Sequence, residues 1–154
     1  MKTTLALLTA LAVAGTAAPA FAGTCPAGQE GSNPLAGAAT MPAKVTDEVL
    51  STVDLGPEIN VNGRSLRLRK LVLQPGGVVP MHSHADRPAL IMTASGTVTE
   101  YSSKCLVPIV HHAGDVSTET NNVTHWWKNT GKTVAILYSS DVHNDGKDTR
   151  NAMQ

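Results

Sequence analysis

The sequence has no excess of charge of either sign. Its 154 residues include 12 Lys and Arg and 12 Asp and Glu, so the formal net charge is zero. Surfaces that bind nucleic acid or anionic membranes carry clustered positive charge, and this composition gives no support for either. The 42% of apolar and 16% of charged residues are typical of a globular chain, and the length fits one domain.

Long apolar runs are also scarce, and the one that exists lies at the beginning of the chain. Lys2 precedes an apolar stretch over residues 5–18, and Ala20-Phe21-Ala22 has the pattern of a signal-peptidase site. We therefore predict a signal peptide over residues 1–22 and a periplasmic protein with no membrane segment after cleavage. The alternative is an N-terminal membrane anchor, for which the run is short.

Cysteine is nearly absent. Cys25 and Cys105 are the only two, and both lie after the predicted cleavage site. In the oxidising compartment that export implies, an even pair most simply forms a disulfide. Two free thiols are the alternative.

The sequence has no long helical period, no alternation of strand and helix patterns, and no internal repeat. Short β-like runs are instead separated by turn signals such as Asn62-Gly63, Pro75-Gly76-Gly77 and Ala113-Gly114-Asp115. This pattern predicts an all-β sandwich or barrel. We expect a flexible N-terminal arm over residues 23–43, the β domain over residues 44–141, and a polar tail over residues 142–154.

The first candidate for chemistry is His82-Ser83-His84. Residues two apart on a strand face the same side, so the two imidazoles point together, as chelation requires. The pair alone is weak, because two surface histidines on an edge strand would give the same pattern.

The surroundings of this pair form a two-part pattern. Gly76 lies six residues before His82, and Gly96 lies twelve after His84; further on, Gly114, His125 and Asn129 are spaced G-x10-H-x3-N. The two parts resemble the two sequence motifs of the cupin superfamily. The resemblance implies a single cupin-type β-barrel in which His82, His84 and His125 converge on one divalent metal ion, of the set Zn, Fe, Mn, Ni or Cu.

The sequence departs from those motifs at two positions. Metal-binding cupins usually carry a Glu four or five residues after the second histidine, where this chain has Pro88 and Ala89, and Thr120 replaces the proline of the second motif. Three neutral histidines leave the charge of the ion uncompensated, so we expect an anionic ligand such as a carboxylate. Whether Glu100 or Asp86 replaces the missing acid is left open.

Other polar residues near the motifs have competing interpretations. A solvated loop position is favoured for Asp86, and a surface position for Arg87, with anion binding at the pocket rim as the alternative for Arg87. His111, His112 and His143 are expected at the surface. Trp126 and Trp127 flank His125 on alternating faces, so one is expected in the core and the other outside.

The function predicted from these features is a periplasmic cupin that binds a divalent metal and acts on, or binds, a small molecule. The metal would act as a Lewis acid or, as iron, would activate dioxygen, although export argues against the second. A non-catalytic module that binds a metal or a small molecule is the alternative. The resemblance also implies a homodimer, because cupins commonly pair through sheet edges, which covers exposed edge strands.

Overall fold

The computed structural model describes residues 23–146, which form one antiparallel β-barrel with a short helix. The predicted signal peptide and residues 147–154 lie outside the described residues. The elements are β1 (Ala43–Asp54), α1 (Leu55–Ile59), β2 (Arg64–Ser83), β3 (Ala89–Ser95), β4 (Thr97–Ser102), β5 (Ile109–His112), β6 (Val116–Glu119), β7 (Thr124–Lys128) and β8 (Ala135–Asn144). No helix among residues 23–146 is long and apolar enough to cross a membrane.

The strands follow the order β5-β4-β7-β2-β8-β3-β6, and β1 pairs with β2 outside this path. All the pairings are antiparallel, and the sheet curls into a nearly closed barrel. The all-β, cupin-type barrel expected from the sequence is therefore confirmed.

The central strand β2 runs through a segment where the sequence predicts a turn. Its first half pairs with β1 and β8, and its second half pairs with β7. Gly76 has a φ of +77° and donates its N–H to the Asn129 carbonyl at 2.9 Å, so the chain bends there but continues in the same direction. The turn expected at Pro75-Gly76-Gly77 is thus wrong, because a glycine with positive φ serves a bulge as readily as a turn.

Two short elements have no counterpart in the sequence prediction. One is β6, which has only four residues, and the other is α1, which has five. Neither is long enough for a period to show in the sequence. The helix is defined by its ends: the Asp54 side chain accepts from Gly56 N–H, and Asn60 ends it in the left-handed conformation.

The inward face of the barrel changes from apolar to polar along its length. On β8 the inward residues are Ala135 and Leu137 at one end and Ser139 and Asp141 at the other. The apolar ends of the strands form the core, which consists of Leu71, Leu73, Val79, Ile91, Val98, Trp127, Ala135 and Leu137. The polar ends meet on the other side of this core and place charged and imidazole side chains inside the barrel.

A disulfide links the segment before β1 to the barrel. Cys25 and Cys105 are joined, which confirms the pairing expected from the sequence. Asn33 N–H donates to the Ser103 carbonyl at 3.0 Å, and Met81 N–H donates to the Ala39 carbonyl at 2.7 Å. The segment therefore lies along the barrel at three separate points.

Gly96, between β3 and β4, is the position where the fold most directly requires a glycine. Its φ is +76°, and a Cβ there would lie 2.7 Å from the Val134 carbonyl oxygen and 2.8 Å from the Ala135 Cα. Gly114 also has a positive φ, of +98°, but a Cβ there meets nothing within 4 Å.

We expect Gly96→Ala to lower the free energy of unfolding by about 1–3 kcal/mol more than Gly114→Ala, because the first variant adds a backbone clash to the shared conformational strain. Urea denaturation of both variants beside the wild type measures this difference. Equal losses for the two variants would contradict it.

Candidate metal centre

Pairing of β2 with β7 brings the two histidine motifs together. His82 on β2 lies directly opposite His125 on β7, and His84 follows the end of β2. The ring centroids are 4.5 Å apart for His82 and His125 and 4.9 Å apart for His84 and His125. The three histidines named from the sequence are therefore neighbours, with His84 and His125 buried and His82 partly buried.

The Nε2 atoms of the three rings converge. His82 Nε2 lies 3.1 Å from His84 Nε2 and 3.1 Å from His125 Nε2. Nitrogens that each lie about 2.0–2.1 Å from one zinc ion, at angles near 90–110°, are about 2.9–3.4 Å apart. The spacing in the structure fits that range.

The opposite nitrogen of each ring faces an oxygen acceptor. His82 Nδ1 donates to the Pro80 carbonyl at 2.9 Å, and His84 Nδ1 donates to the Arg87 carbonyl at 2.6 Å. His125 Nδ1 lies 2.9 Å from Glu100 Oε1 and donates to it, since a carboxylate only accepts; the Trp127 indole N–H, 3.1 Å from Nδ1 and 3.5 Å from Nε2, meets the face of the ring. A neutral imidazole that donates from Nδ1 has its lone pair on Nε2, so these contacts orient three lone pairs toward one point.

Burial keeps two of the rings neutral. Burial and, to a smaller extent, the nearby His125 lower the pKa of His82 well below its usual value. The same two causes lower the pKa of His84 to about 3. At neutral pH both rings therefore present an unprotonated Nε2, as metal ligation requires.

Two buried glutamates lie behind His125. Glu100 on β4 and Glu119 on β6 approach His125 Nδ1 at 2.9 and 3.3 Å. Burial would raise the pKa of Glu100, but hydrogen bonds from His111 and His125 lower it to about 2; burial raises the pKa of Glu119. Glu100, His125 and Glu119 also form a second group whose oxygen and nitrogen atoms lie within 4.8 Å of one another.

Neither Glu100 nor Asp86 lies beside the converging Nε2 atoms. Glu100 points inward, but its carboxylate contacts Nδ1 of His125, on the far side of the ring from the converging Nε2 atoms. Asp86 lies in the loop after β2, where it pairs with Arg64 and accepts from Asn144. Glu119 carries no motif signal and lies on the unpredicted strand β6, so sequence reasoning missed it.

A cluster of buried ion pairs lies on the inward faces of β2 and β8. Arg67 donates to both oxygens of Asp141 at 3.0 and 2.9 Å, and Arg87 donates to Asp141 Oδ2 at 2.7 Å. Arg69 donates to Asp47 on β1 at 2.5 Å. The cluster thus joins three guanidinium groups and two carboxylates inside the barrel.

Three surface expectations are wrong, those for Arg87, His111 and His143. His143 lies on β8 with its side chain only 16% exposed. The Arg87 side chain is only 12% exposed, because it turns inward to Asp141. His111 is fully buried and donates from Nε2 to Glu100 Oε2 at 3.0 Å, because residues 109 and 111 of β5 face inward and residues 110 and 112 face outward. His112 is exposed as expected.

The two tryptophans alternate as the sequence predicts. Trp127 is 1% exposed in the core, where its indole meets the His125 ring edge to face. Trp126 lies on the outer face and stacks on Tyr101, with ring centroids 4.1 Å apart.

The fold and this centre define a class of protein: a small antiparallel β-barrel with inward histidines contributed by two paired strands. Residues 69–141 match the family model described as the cupin domain. The chain belongs to the cupin superfamily, as its two histidine motifs indicate.

The similar proteins match only part of this chain, and only part of their own length is matched. The chain is 31% identical to auxin-binding protein ABP19b of Prunus persica over 52% of this chain and 40% of the relative. It is 33% identical to germin-like protein 5-1 of Oryza sativa subsp. japonica over 58% of this chain and 40% of the relative. The chain therefore spans about two fifths of the length of these relatives.

A solved structure agrees with the fold. The cupin domain of Schizosaccharomyces pombe Cnp3 superposes with a TM-score of 0.54 over 70% of this chain and 71% of that chain, at 12% identity. At this identity the likeness concerns the fold alone.

Proposed function

We propose that this domain is an exported, divalent-metal-binding cupin that holds its ion through His82, His84 and His125 and binds a small anionic molecule beside it. The observation that carries the proposal is the convergence of three Nε2 atoms whose rings are each fixed by an acceptor at Nδ1. Three lone pairs facing one point repel one another unless a cation lies between them.

The donor set fits several ions. Imidazole nitrogens suit Zn, Fe, Ni and Cu, and three protein ligands leave coordination positions for water or a small molecule. A bound divalent ion would supply Lewis acidity at those open positions. Within residues 23–146 the side chains around His125 act by holding its ring, since Glu100 and Glu119 both contact Nδ1.

The charge around the centre supports an anionic ligand. Burial is the main cause that lowers the pKa of His82 and His84, and the charge of the nearby Arg87 guanidinium lowers both further. Arg67 and Arg69 place two more guanidinium groups inside the barrel. A small carboxylate would offset the charge of an ion held by three neutral histidines, whereas a neutral ligand would leave it in place.

A non-catalytic binding role remains the second candidate. Both inward glutamates are engaged by histidines, Glu100 by His111 and His125 and Glu119 by His125. Neither carboxylate is therefore free to act as a general base toward a ligand bound on the Nε2 side of the histidines. This observation favours binding over turnover and leaves the metal proposal unchanged.

Export is proposed from the signal-peptide pattern and supported by the disulfide, which persists in oxidising compartments. The homodimer stays a prediction. In its favour, Val49, Leu50 and Val53 on β1 are 44%, 44% and 43% exposed, and β1 is an edge strand.

Metal uptake by the untagged wild-type protein tests the proposal. Protein stripped with a chelator is incubated separately with Zn, Mn, Fe(II), Ni and Cu, desalted, and analysed for bound metal. We expect one ion per chain for at least one metal, and tighter binding of acetate or malonate to the loaded than to the stripped protein. Protein that stays free of all five metals would overturn the metal site; equal carboxylate binding would overturn the anionic ligand.

A further inference from the structure

Gly23 lies in a narrow slot between two side chains. It is buried, and a Cβ built on it would lie 3.1 Å from His111 Nδ1 and 3.1 Å from the Asp115 Cβ. The Cys25–Cys105 disulfide, two residues further on, ties this part of the chain to the barrel. The disulfide therefore holds Gly23 beside the side chains of His111 and Asp115, with no room for a side chain of its own.

On one side of the slot, a nitrogen of the His111 ring has no hydrogen-bond donor opposite it among the described residues. His111 Nε2 donates to Glu100 Oε2 at 3.0 Å, which leaves Nδ1 as the acceptor of the ring. That atom is buried and has no hydrogen-bond partner among the described residues. Because buried polar atoms are usually hydrogen-bonded, a hydrogen-bond donor is expected beside this nitrogen, where Gly23 lies.

The other side of the slot is acidic. The Asp115 carboxylate accepts from His112 N–H through Oδ2 at 2.6 Å and is only partly buried. A group that donates to both His111 Nδ1 and the Asp115 carboxylate needs at least two hydrogens, and a positive charge would strengthen its bond to the carboxylate. A backbone amide has one hydrogen and no charge, whereas an α-ammonium group has three hydrogens and a positive charge.

The predicted cleavage after Ala22 would create such a group at Gly23. We propose that the α-ammonium group of the mature chain docks in this slot and donates to His111 Nδ1 and to the Asp115 carboxylate. Docking completes a hydrogen-bonded chain that runs from Gly23 through His111 and Glu100 to Nδ1 of His125. His111 is thus a positioning residue for the candidate metal centre. Removal of the signal peptide creates the α-ammonium group, and this group holds His111 and, through Glu100, the ring of His125.

The docking itself does not depend on metal. Its effect on metal affinity rests on the proposed function, but the state of the α-amino group is measurable in protein treated with a chelator. Failure of the two proposals is therefore distinguishable.

The test compares a protein that starts at Gly23 with one that keeps Ala22 as a single added residue. Both keep the disulfide and are released from a cleavable fusion. In chelator-treated protein at pH 7, we expect the α-amino group of the Gly23 protein to react with an amine-directed reagent at least about tenfold more slowly than that of the extended protein. Equal reaction rates would overturn the docking.

A double-mutant comparison separates docking from a simple steric effect. We expect the added Ala22 to weaken metal binding about three- to tenfold in the wild-type background, less than loss of a direct partner of a ligand. In the His111→Phe background, or in Asp115→Asn if the first variant does not fold, the added residue should have a clearly smaller effect. The same loss of affinity in these backgrounds would overturn the hydrogen-bonded chain from Gly23 to His125. Exported protein whose intact mass shows a first residue other than Gly23 would overturn it as well.

Discussion

Replacing His82 with alanine is expected to lower the affinity for a divalent metal ion at the proposed site by more than about a hundredfold, beyond the 10–100-fold typical of losing an outer partner of a ligand. His82 is the most informative of the three histidines. Among residues 23–146 its Nδ1 contacts the Pro80 carbonyl and no carboxylate, so its removal leaves no buried carboxylate of this part of the chain without a partner. Removing His125 would instead disturb both Glu100 and Glu119.

The matched control for this variant is His112→Ala. His112 has the same side chain but lies exposed on the outer face of β5. Titration calorimetry of both variants and the wild type with the preferred metal gives the comparison, and circular dichroism confirms that each is folded. Wild-type affinity in the His82 variant would exclude this histidine as a ligand.

The second large effect is expected at Asp141. Asp141→Asn keeps the shape of the side chain but removes the carboxylate that Arg67 and Arg87 share, so both guanidinium groups lose this buried counter-charge. Breaking a buried ion pair on one side typically costs about 3–5 kcal/mol, since the remaining charge is left buried without compensation. We expect a loss of that size in the free energy of unfolding, measured by urea denaturation in the presence of a chelator.

The control is Asp86→Asn, whose side chain is 43% exposed where it pairs with Arg64. Exposed pairs contribute at most about 1 kcal/mol, so this variant should be close to the wild type. Similar losses for Asp86→Asn and Asp141→Asn would contradict a special role of the buried cluster.

The pH dependence of stability gives an independent check on Asp141. Burial would raise its pKa, but hydrogen bonds from Arg67 and the charges of Arg69, Arg67 and Arg87 outweigh burial and lower it. A lowered pKa in the folded state means that the stabilisation is complete above the unfolded value, about 3.9, and is lost as the pH falls below it through the folded value. Asp141→Asn should therefore lose less stability than the wild type between pH 5 and 3.

Part of the candidate metal centre was predictable because it depends on local periodicity. The parity of His82 and His84 on a strand follows from backbone geometry. The second motif adds His125 by resemblance, and the alternation of Trp126 and Trp127 about it follows from the same period of two.

The polar surroundings of that centre were not predictable in the same way. His111, Arg87 and Glu119 are buried only because distant strands bring opposite charges or hydrogen-bond partners beside them. A charged or imidazole side chain is usually exposed unless such a partner exists, and the partner is invisible in the local sequence.

The sequence by itself therefore determined an all-β fold and the cysteine pair, since strand period, turn residues and cysteine count are properties of the chain itself. Its resemblance to the cupin motifs added the barrel type and the prediction that the three histidines lie together. Only the tertiary structure decided that Pro75-Gly76-Gly77 continues a strand, that Glu100 supports His125 from behind, and that Arg67, Arg87 and Asp141 meet inside the barrel. These arrangements depend on the register between strands far apart in sequence, which is set by packing and electrostatics across the whole barrel.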